Sequence, residues 1–284
     1  MDWFGKSICM LRFLKSYKSI FYFFKSLNLI SIFIMNFILF PFKLIYKIYF
    51  LLYFVLTLIL FYPLFYFFLA KKERFPKAFK IIRVYAKVWL YGSGIYLRVK
   101  GKENILRDQP FLICSNHTSF LDPAPLYAIF DQHFVFTGKK EIEKWPLFHI
   151  FYTSGMNILV DRHNRVGALK SFMKMKDVID EGNPLVILPE GTIPPHAPKL
   201  GEFKAGAVSI AIQMGIPILP VTQTTNWRRL QRASLFKGNA CPGVAEVVIH
   251  PPISTEGLTK QDTEALQEKL KEVINQPLKQ KYGV

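Results

Sequence analysis

Cysteine is scarce in this chain, and the three present, Cys9, Cys114 and Cys241, are odd in number and widely spaced. That spacing argues against both a disulfide framework and a zinc site, and it suits a reducing compartment. Also missing are a Gly-x-Ser-x-Gly elbow, a cluster of metal ligands and the glycine pattern of a dinucleotide-binding turn. Ser115 and Ser119 lack the setting of a covalent nucleophile. There is no internal repeat and no low-complexity linker.

Acidic residues are nearly absent from the first 100 positions, where only Asp2 and Glu73 stand against 16 Lys and Arg. That stretch carries +14 of the formal net charge of +17, while the remainder, with 21 bases and 18 acids, carries +3. The basic segment also holds 29 of the 44 aromatic residues. Its lysines therefore punctuate hydrophobic sequence, whereas a nucleic-acid surface sets basic clusters among polar residues. The expected partner is a membrane lipid surface and not nucleic acid.

Ile48 to Ala70 contains no charged residue across 23 positions, enough to cross a hydrocarbon core of roughly 30 Å at about 1.5 Å per residue. Ser26 to Phe42 is shorter, at 17 positions, and carries Asn28, Ser31 and Asn36. With only Lys43 to Lys47 between them, the two runs can form a helical hairpin, or the first can lie along the interface while the second spans or re-enters. Pro63 is placed to kink the second. Lysines and Arg74 flank both runs, and a hairpin puts the larger basic group on one side, which points to a cell-membrane protein with its catalytic part on the cytoplasmic side. A signal peptide fits poorly, because Met1 to Lys25 is interrupted by Lys or Arg every few residues and no small-residue cleavage site follows.

Beyond Ala70 the pattern changes. Lys77 to Leu97 places Ile81, Val84, Tyr85, Val88 and Trp89 at helical spacing and predicts an amphipathic helix, either joining membrane to domain or lying on the domain surface. Short apolar runs at Tyr96–Lys100, Phe111–Ser115, Phe134–Thr137, Asn157–Val160, Leu185–Leu188, Ile216–Val221 and Val244–Ile249 read as strands. Pro123–Phe130, Glu141–Tyr152, Val166–Glu181, Lys204–Met214 and Thr263–Lys279 read as helices. The alternation predicts an α/β domain over 95–284 with a largely buried sheet, preceded by a membrane-anchoring helical region over 1–94.

In such domains reactive groups gather where strands end and helices begin. Asn116-His117-Thr118-Ser119-Phe120-Leu121-Asp122 lies at such an exit, with its histidine and aspartate five positions apart. Asp122 precedes Pro123, so it has a plain structural reading as a helix N-cap. The functional reading has Asp122 accept a hydrogen bond from one ring nitrogen of His117, leaving the other nitrogen to take a proton from a hydroxyl. Three further stretches stand out: Leu188-Pro189-Glu190-Gly191-Thr192 at another strand exit, Gly155 to Arg162 ending in an acid and a base, and Ile216 to Val221. The prolines of the last, Pro217 and Pro220, are awkward inside a central strand.

In this order and at these separations the four stretches resemble the bacterial 1-acyl-sn-glycerol-3-phosphate acyltransferase family of glycerolipid acyltransferases, whose blocks begin with His-x4-Asp. The likeness covers about residues 95 to 250. It implies a mixed sheet flanked by helices, an N-terminal hydrophobic helical anchor, and an enzyme that makes phosphatidic acid from a lysophospholipid acceptor. The acyl donor would be a thioester of coenzyme A or acyl carrier protein, with no bound cofactor and no acyl-enzyme. The resemblance makes His117 the general base and Asp122 its partner, assigns Glu190, Gly191 and Thr192 to the acceptor, and makes Arg162 a phosphate contact.

One departure bears on the acceptor. The family's third block continues with Arg-Ser, whereas Ile193 and Pro194 follow here. Lys204, Lys199, Arg162 and Lys139 are candidates to compensate, as point charges in the case of the lysines. The alternatives are an acceptor that is another lysophospholipid or an aminolipid, or a catalytically silent lipid-binding protein of the same fold.

Overall fold

The computed structural model describes residues 40–161, 164–233 and 238–284. The expected first hydrophobic run and Arg162 lie outside these residues, apart from the end of that run. The chain divides into two units, Met1–Tyr46 and Lys47–Val284, and apart from the first turns of the helix that begins at Phe40 everything described below belongs to the second.

The uncharged run from Ile48 belongs to a long helix, α1 (Phe40–Leu69), of 30 residues, with an 18-residue stretch of mean hydropathy 2.3. At about 1.5 Å per residue such a helix exceeds the thickness of a bilayer core. It continues unbroken through Pro63. From Lys47 onward one face packs on α2 (Phe75–Gly92): the Phe54 and Trp89 rings are 4.7 Å apart, Phe61 and Tyr85 5.4 Å, and the Tyr53 hydroxyl donates to the Val88 carbonyl at 3.2 Å. A Cβ at Gly92 would stand 1.9 Å from the Tyr53 hydroxyl, so a larger residue there would have to displace that ring. The other face of α1 presents Leu52, Leu56, Ile59 and Leu60 to the exterior. An apolar face of this size outside the core suggests membrane association.

The predicted helix over Lys77–Leu97 is shorter than expected, since the chain turns at Gly94 (φ 69°) and Leu97 already lies in β1 (Ile95–Lys100). Its buried stripe also differs from the expected one. Phe75, Ala78, Phe79, Ile82, Tyr85, Ala86 and Leu90 face inward, while Val84 and Val88 are exposed. Of the expected apolar positions only Tyr85 is fully buried, because α2 is clasped by α1, α3 and the sheet rather than lying on one surface.

The remaining strands are β2 (Leu112–Ser115), β3 (Val135–Lys139), β4 (Ile158–Val160), β5 (Leu185–Ile187), β6 (Ile218–Gln223) and β7 (Gly243–Ile249). They form one sheet in the order β1-β7-β6-β2-β5-β3-β4, parallel throughout except for the antiparallel β6–β7 pair. All seven predicted strands are present. Along β2 the side chains alternate between layers, as strand geometry requires. Ile113 joins the core under α1, α2, α3 (Pro123–Ile129) and α4 (Ile150–Thr153), whereas Leu112 and Cys114 face the core under α5 (Arg165–Asp180), α6 (Gly206–Met214) and α8 (Thr263–Tyr282).

Two local expectations fail for identifiable reasons. Glu141–Tyr152 is not one helix: a 3-10 turn over Lys140–Lys144 stops before Pro146, Trp145 is extended, Leu147 has φ 62°, and only Ile150–Thr153 is helical. A residue before proline is pushed out of the helical region, and proline offers no N–H. Pro220, by contrast, does sit inside a central strand. Its carbonyl accepts from His250 N at 2.9 Å, so the side that lacks an N–H faces the point where β7 has already ended at Ile249.

Candidate active site

The two strands at the middle of the sheet, β2 and its neighbour β6, deliver most of the polar residues. β2 ends at Ser115 and the next seven residues form the loop into α3. Within it Asp122 is fully buried, and its Oδ2 lies 2.8 Å from His117 Nδ1. The same oxygen accepts from the backbone N–H of Thr118 at 2.5 Å and of Ser119 at 2.8 Å. Oδ1 accepts from the Thr118 hydroxyl at 3.2 Å and from Asn226 Nδ2 at 2.9 Å. Asp122 stands at the N-cap position of α3, but its side chain makes no capping bond. Instead it reaches back into the loop, so a capping role does not account for it.

These contacts determine what the histidine can do. A carboxylate that takes two backbone N–H bonds is acceptor-only, so His117 Nδ1 must donate to it, and in the neutral ring Nε2 is then the nitrogen that carries the lone pair. The His117 side chain remains 18% exposed, and Nε2 has no partner among the described residues. The result is an imidazole held at Nδ1 and open at Nε2, the arrangement a general base requires.

Glu190 is the second support. It lies three residues beyond the end of β5 at Ile187, and Gly191 (φ 67°) makes the turn, a conformation glycine adopts without steric cost. Its Oε1 accepts from His117 N at 2.7 Å and its Oε2 from Gly201 N at 2.6 Å. Glu190 therefore ties the histidine's backbone to the loop before α6. Burial pushes its carboxyl up to about 7, against the lowering effect of those two backbone N–H bonds and of His117.

A third layer comes from residues that the sequence reading did not single out. Gln223, at the end of β6, donates from its backbone to Asn116 Oδ1 at 2.8 Å and from Nε2 to Ser115 Oγ at 3.1 Å. Asn226 Nδ2 bridges Gln223 Oε1 and Asp122 Oδ1. Both residues are fully buried. The available signal was the abrupt change from apolar Ile216–Val221 to the polar run Thr222-Gln223-Thr224-Thr225-Asn226 at a strand exit.

The other expected site residues are distributed unevenly. Thr192 is exposed at the turn after Gly191, and Ile193 is buried, so that position serves packing. Lys204 is exposed, with its backbone N–H bonded to the Pro189 carbonyl at 2.9 Å. The stretch ending at Arg162 enters through Asp161, which pairs with Lys140 at 2.8 Å. A cavity of about 300 Å³ lies there, lined by Lys140, Asp161, Lys170 and Lys174 among others, and neither His117 nor Glu190 lines it. The chemistry is better located by the His117–Asp122 geometry than by this opening. Among the described residues no group of three His, Cys, Asp or Glu is placed to hold a metal ion.

Comparison with known proteins gives a consistent set of matches. Residues 96–224 match the family model described as Acyltransferase. A 1-acyl-sn-glycerol-3-phosphate acyltransferase of Limnanthes alba is 31% identical over 176 residues, covering 61% of this chain and 59% of that protein. One from Saccharomyces cerevisiae is 32% identical over 190 residues, covering 66% and 61%. A probable one from Mycoplasma pneumoniae is 27% identical over 68% of this chain and 75% of its own length. The chain thus spans under two thirds of the plant and yeast relatives. The crystal structure of the 1-acyl-sn-glycerophosphate acyltransferase PlsC from Thermotoga maritima superposes with a TM-score of 0.69 at 21% identity, over 84% of this chain and 95% of that one, and shares the fold.

Proposed function

We propose that this chain, whose residues 96–224 match the acyltransferase family model, transfers an acyl group from a thioester to the free hydroxyl of a 1-acylglycerol-3-phosphate at a membrane surface, giving phosphatidic acid. His117 is the general base and Asp122 orients it. The observation that carries this is the 2.8 Å contact between His117 Nδ1 and a buried carboxylate, with Nε2 left open.

In the reaction Nε2 takes the hydroxyl proton as the oxygen attacks the thioester carbonyl. The C–O bond forms, the C–S bond breaks, and the proton passes from the imidazolium to the departing thiolate, so ester and free thiol leave and the histidine is regenerated. No side chain is acylated. The imidazolium formed in transit is stabilised by the Asp122 charge, and the backbone bond to Glu190 keeps the ring from drifting as its charge changes. The donor is an acyl thioester of coenzyme A or of acyl carrier protein.

Residues 1–94 anchor the catalytic part to the cytoplasmic face, in a region that is rich in bases and aromatics and suits an anionic leaflet. Both the acceptor and the product are confined to that surface, so an anchored enzyme meets its substrate in two dimensions.

The test uses membranes containing the protein, a labelled acyl thioester and a panel of lysolipids, beside His117→Ala. Lysophosphatidic acid is expected to be acylated, and the variant to lose about a hundredfold or more of the rate. No transfer to any acceptor sinks the enzymatic reading; undiminished transfer by His117→Ala sinks the mechanism. A second reading, another lysophospholipid as acceptor, is favoured by one observation, the buried Ile193, and wins if only non-phosphatidic lysolipids are acylated.

A further inference from the structure

The acceptor proposed above carries a phosphate monoester, yet no arginine follows Thr192 in the chain. An arginine reaches that place from elsewhere. Arg232, on the loop after α7 (Asn226–Arg229), donates through Nη1 to the Ile193 carbonyl and, at 3.4 Å, to the Thr192 hydroxyl. The same loop is tied to the histidine's loop, since Ser119 Oγ donates to the Leu230 carbonyl at 2.6 Å. Residues 230–232 therefore join the two segments on which the site is built, the His117–Asp122 loop and the turn that follows Glu190.

Arg232 carries a charge that no side chain among the described residues neutralises. It is exposed, and among the described residues no carboxylate lies within ion-pairing distance of it. Nη1 alone is engaged, and its partners are neutral oxygens that position a guanidinium without neutralising it. Its Nε and Nη2 groups make no hydrogen bond to the described residues. An arginine held by one nitrogen beside the Thr192–Ile193 turn presents the rest of its fork to a ligand, and a phosphate monoester matches that fork with two parallel, charge-assisted bonds. Lys204, exposed and bonded through its backbone N–H to Pro189, offers only a point charge.

We infer that Arg232 is the residue that recognises the acceptor's phosphate, in place of an arginine contiguous with Glu190-Gly191-Thr192. This rests on the acyl-transfer reading for its substrate class. Ile193 is then free to pack inward, and specificity for a phosphate monoester is carried by a residue about 40 positions further along the chain.

The experiment measures transfer and binding separately on the full-length protein in mixed micelles. Arg232→Ala is expected to raise KM for lysophosphatidic acid about 10- to 100-fold, the range for losing bonds to a charged group, with kcat and the thermal midpoint little changed. The preference for lysophosphatidic acid over 1-monoacylglycerol, which lacks the phosphate, should shrink by the same factor, Arg232→Lys should recover part of it, and Lys204→Ala should leave it in place. An unchanged KM, an equal fall in kcat for both acceptors, or a loss of preference in Lys204→Ala alone overturns the inference. Equilibrium binding of lysophosphatidic acid, followed by tryptophan fluorescence, separates the two claims. Arg232-dependent binding without transfer to any lysolipid removes the acyltransferase reading and keeps this one, and transfer with Arg232-independent binding does the reverse.

Discussion

The His117–Asp122 loop and the Glu190–Ile193 turn stand side by side at the strand ends, yet they are held in opposite ways. In the first, a single carboxylate gathers the ring of His117 and the N–H groups of Thr118 and Ser119 from within five positions. In the second, apart from the Gly191 N–H bonded to the Leu188 carbonyl, the contacts are distant: Glu190 reaches His117, 73 positions back, and Gly201, while Thr192 and Ile193 are met by Arg232. The His117–Asp122 contact itself is local, although Asn226, Glu190 and Leu230 brace its loop from afar, whereas the Glu190–Ile193 turn is held almost wholly by distant partners. Chemistry that must be kept can be written into contiguous residues, whereas recognition can be supplied from any segment that the sheet brings near.

Four substitutions probe that difference. The largest effect is expected at the base itself. His117→Ala should remove about a hundredfold or more of acyl transfer with a circular dichroism spectrum and a thermal midpoint close to those of the wild type. A collapse of the fold instead would show that the loop depends on the ring as much as on Asp122.

Asp122→Asn follows. Its amide can accept on one atom only, so either His117 Nδ1 with the Thr118 and Ser119 N–H groups, or Asn226 Nδ2, loses its acceptor, and the charge that supports an imidazolium is gone. Each buried group left unpaired costs about 1–3 kcal/mol, and the loss of a correctly held base should bring activity down by a factor on the order of a hundred. Chemical denaturation and turnover measured on the same preparation read both quantities. Full activity in this variant would mean that the local motif is scaffolding only.

Glu190→Gln tests the long-range tie. One of the two bonds, to His117 N or to Gly201 N, is lost at about 1–3 kcal/mol. The pH dependence offers a sharper readout. Because burial pushes the Glu190 carboxyl up to about 7 from an ordinary 4.5, the folded protein retains a proton there between those values while the unfolded chain has released it. Its contribution to stability is therefore greatest below about 4.5, declines as pH rises to about 7 and is level above. The difference between wild-type and Glu190→Gln denaturation midpoints should change across that window and be constant above it. A flat difference from acid to neutral pH would contradict this account.

Gly191→Ala is the smallest. At φ 67° an alanine costs roughly 1–2 kcal/mol, so a modest drop in midpoint is expected, with transfer reduced in proportion to any displacement of Thr192. An unaltered midpoint would show that the turn relaxes freely.

Much of this was legible in advance, for reasons that follow from individual residues. Strands buried on both faces read as continuous apolar runs, so β2, β5 and β6 could be recognised without knowing their neighbours. His117 and Asp122 were recognisable because both members of the pair lie in one short stretch. The helix expected over Glu141–Tyr152 failed because Pro146 outweighs a helical pattern on either side of it. The stripe expected on α2 was misplaced because Val84 and Val88 share a helical spacing with the residues that are buried, and only the positions of α1 and α3 decide which spacing faces inward. Asp122 seemed a helix cap on the strength of Pro123, but a loop rich in N–H donors competes for the same carboxylate and wins.

What the sequence determined by itself is the order of the elements, the hydrophobic helix ahead of the domain, and the spacing of a histidine from its aspartate. Those features rest on interactions spanning a few residues and on hydrophobic periodicity, which are present in the chain before it folds. The tertiary structure decided that Asp122 turns back toward His117, that Glu190 spends its carboxylate on backbone N–H groups, that Gln223 and Asn226 close the network beneath the site, and that the arginine at its rim is Arg232. Each depends on strands brought together in the order β6-β2-β5, and that order is set by burying the whole sheet at once, which no short stretch of sequence encodes.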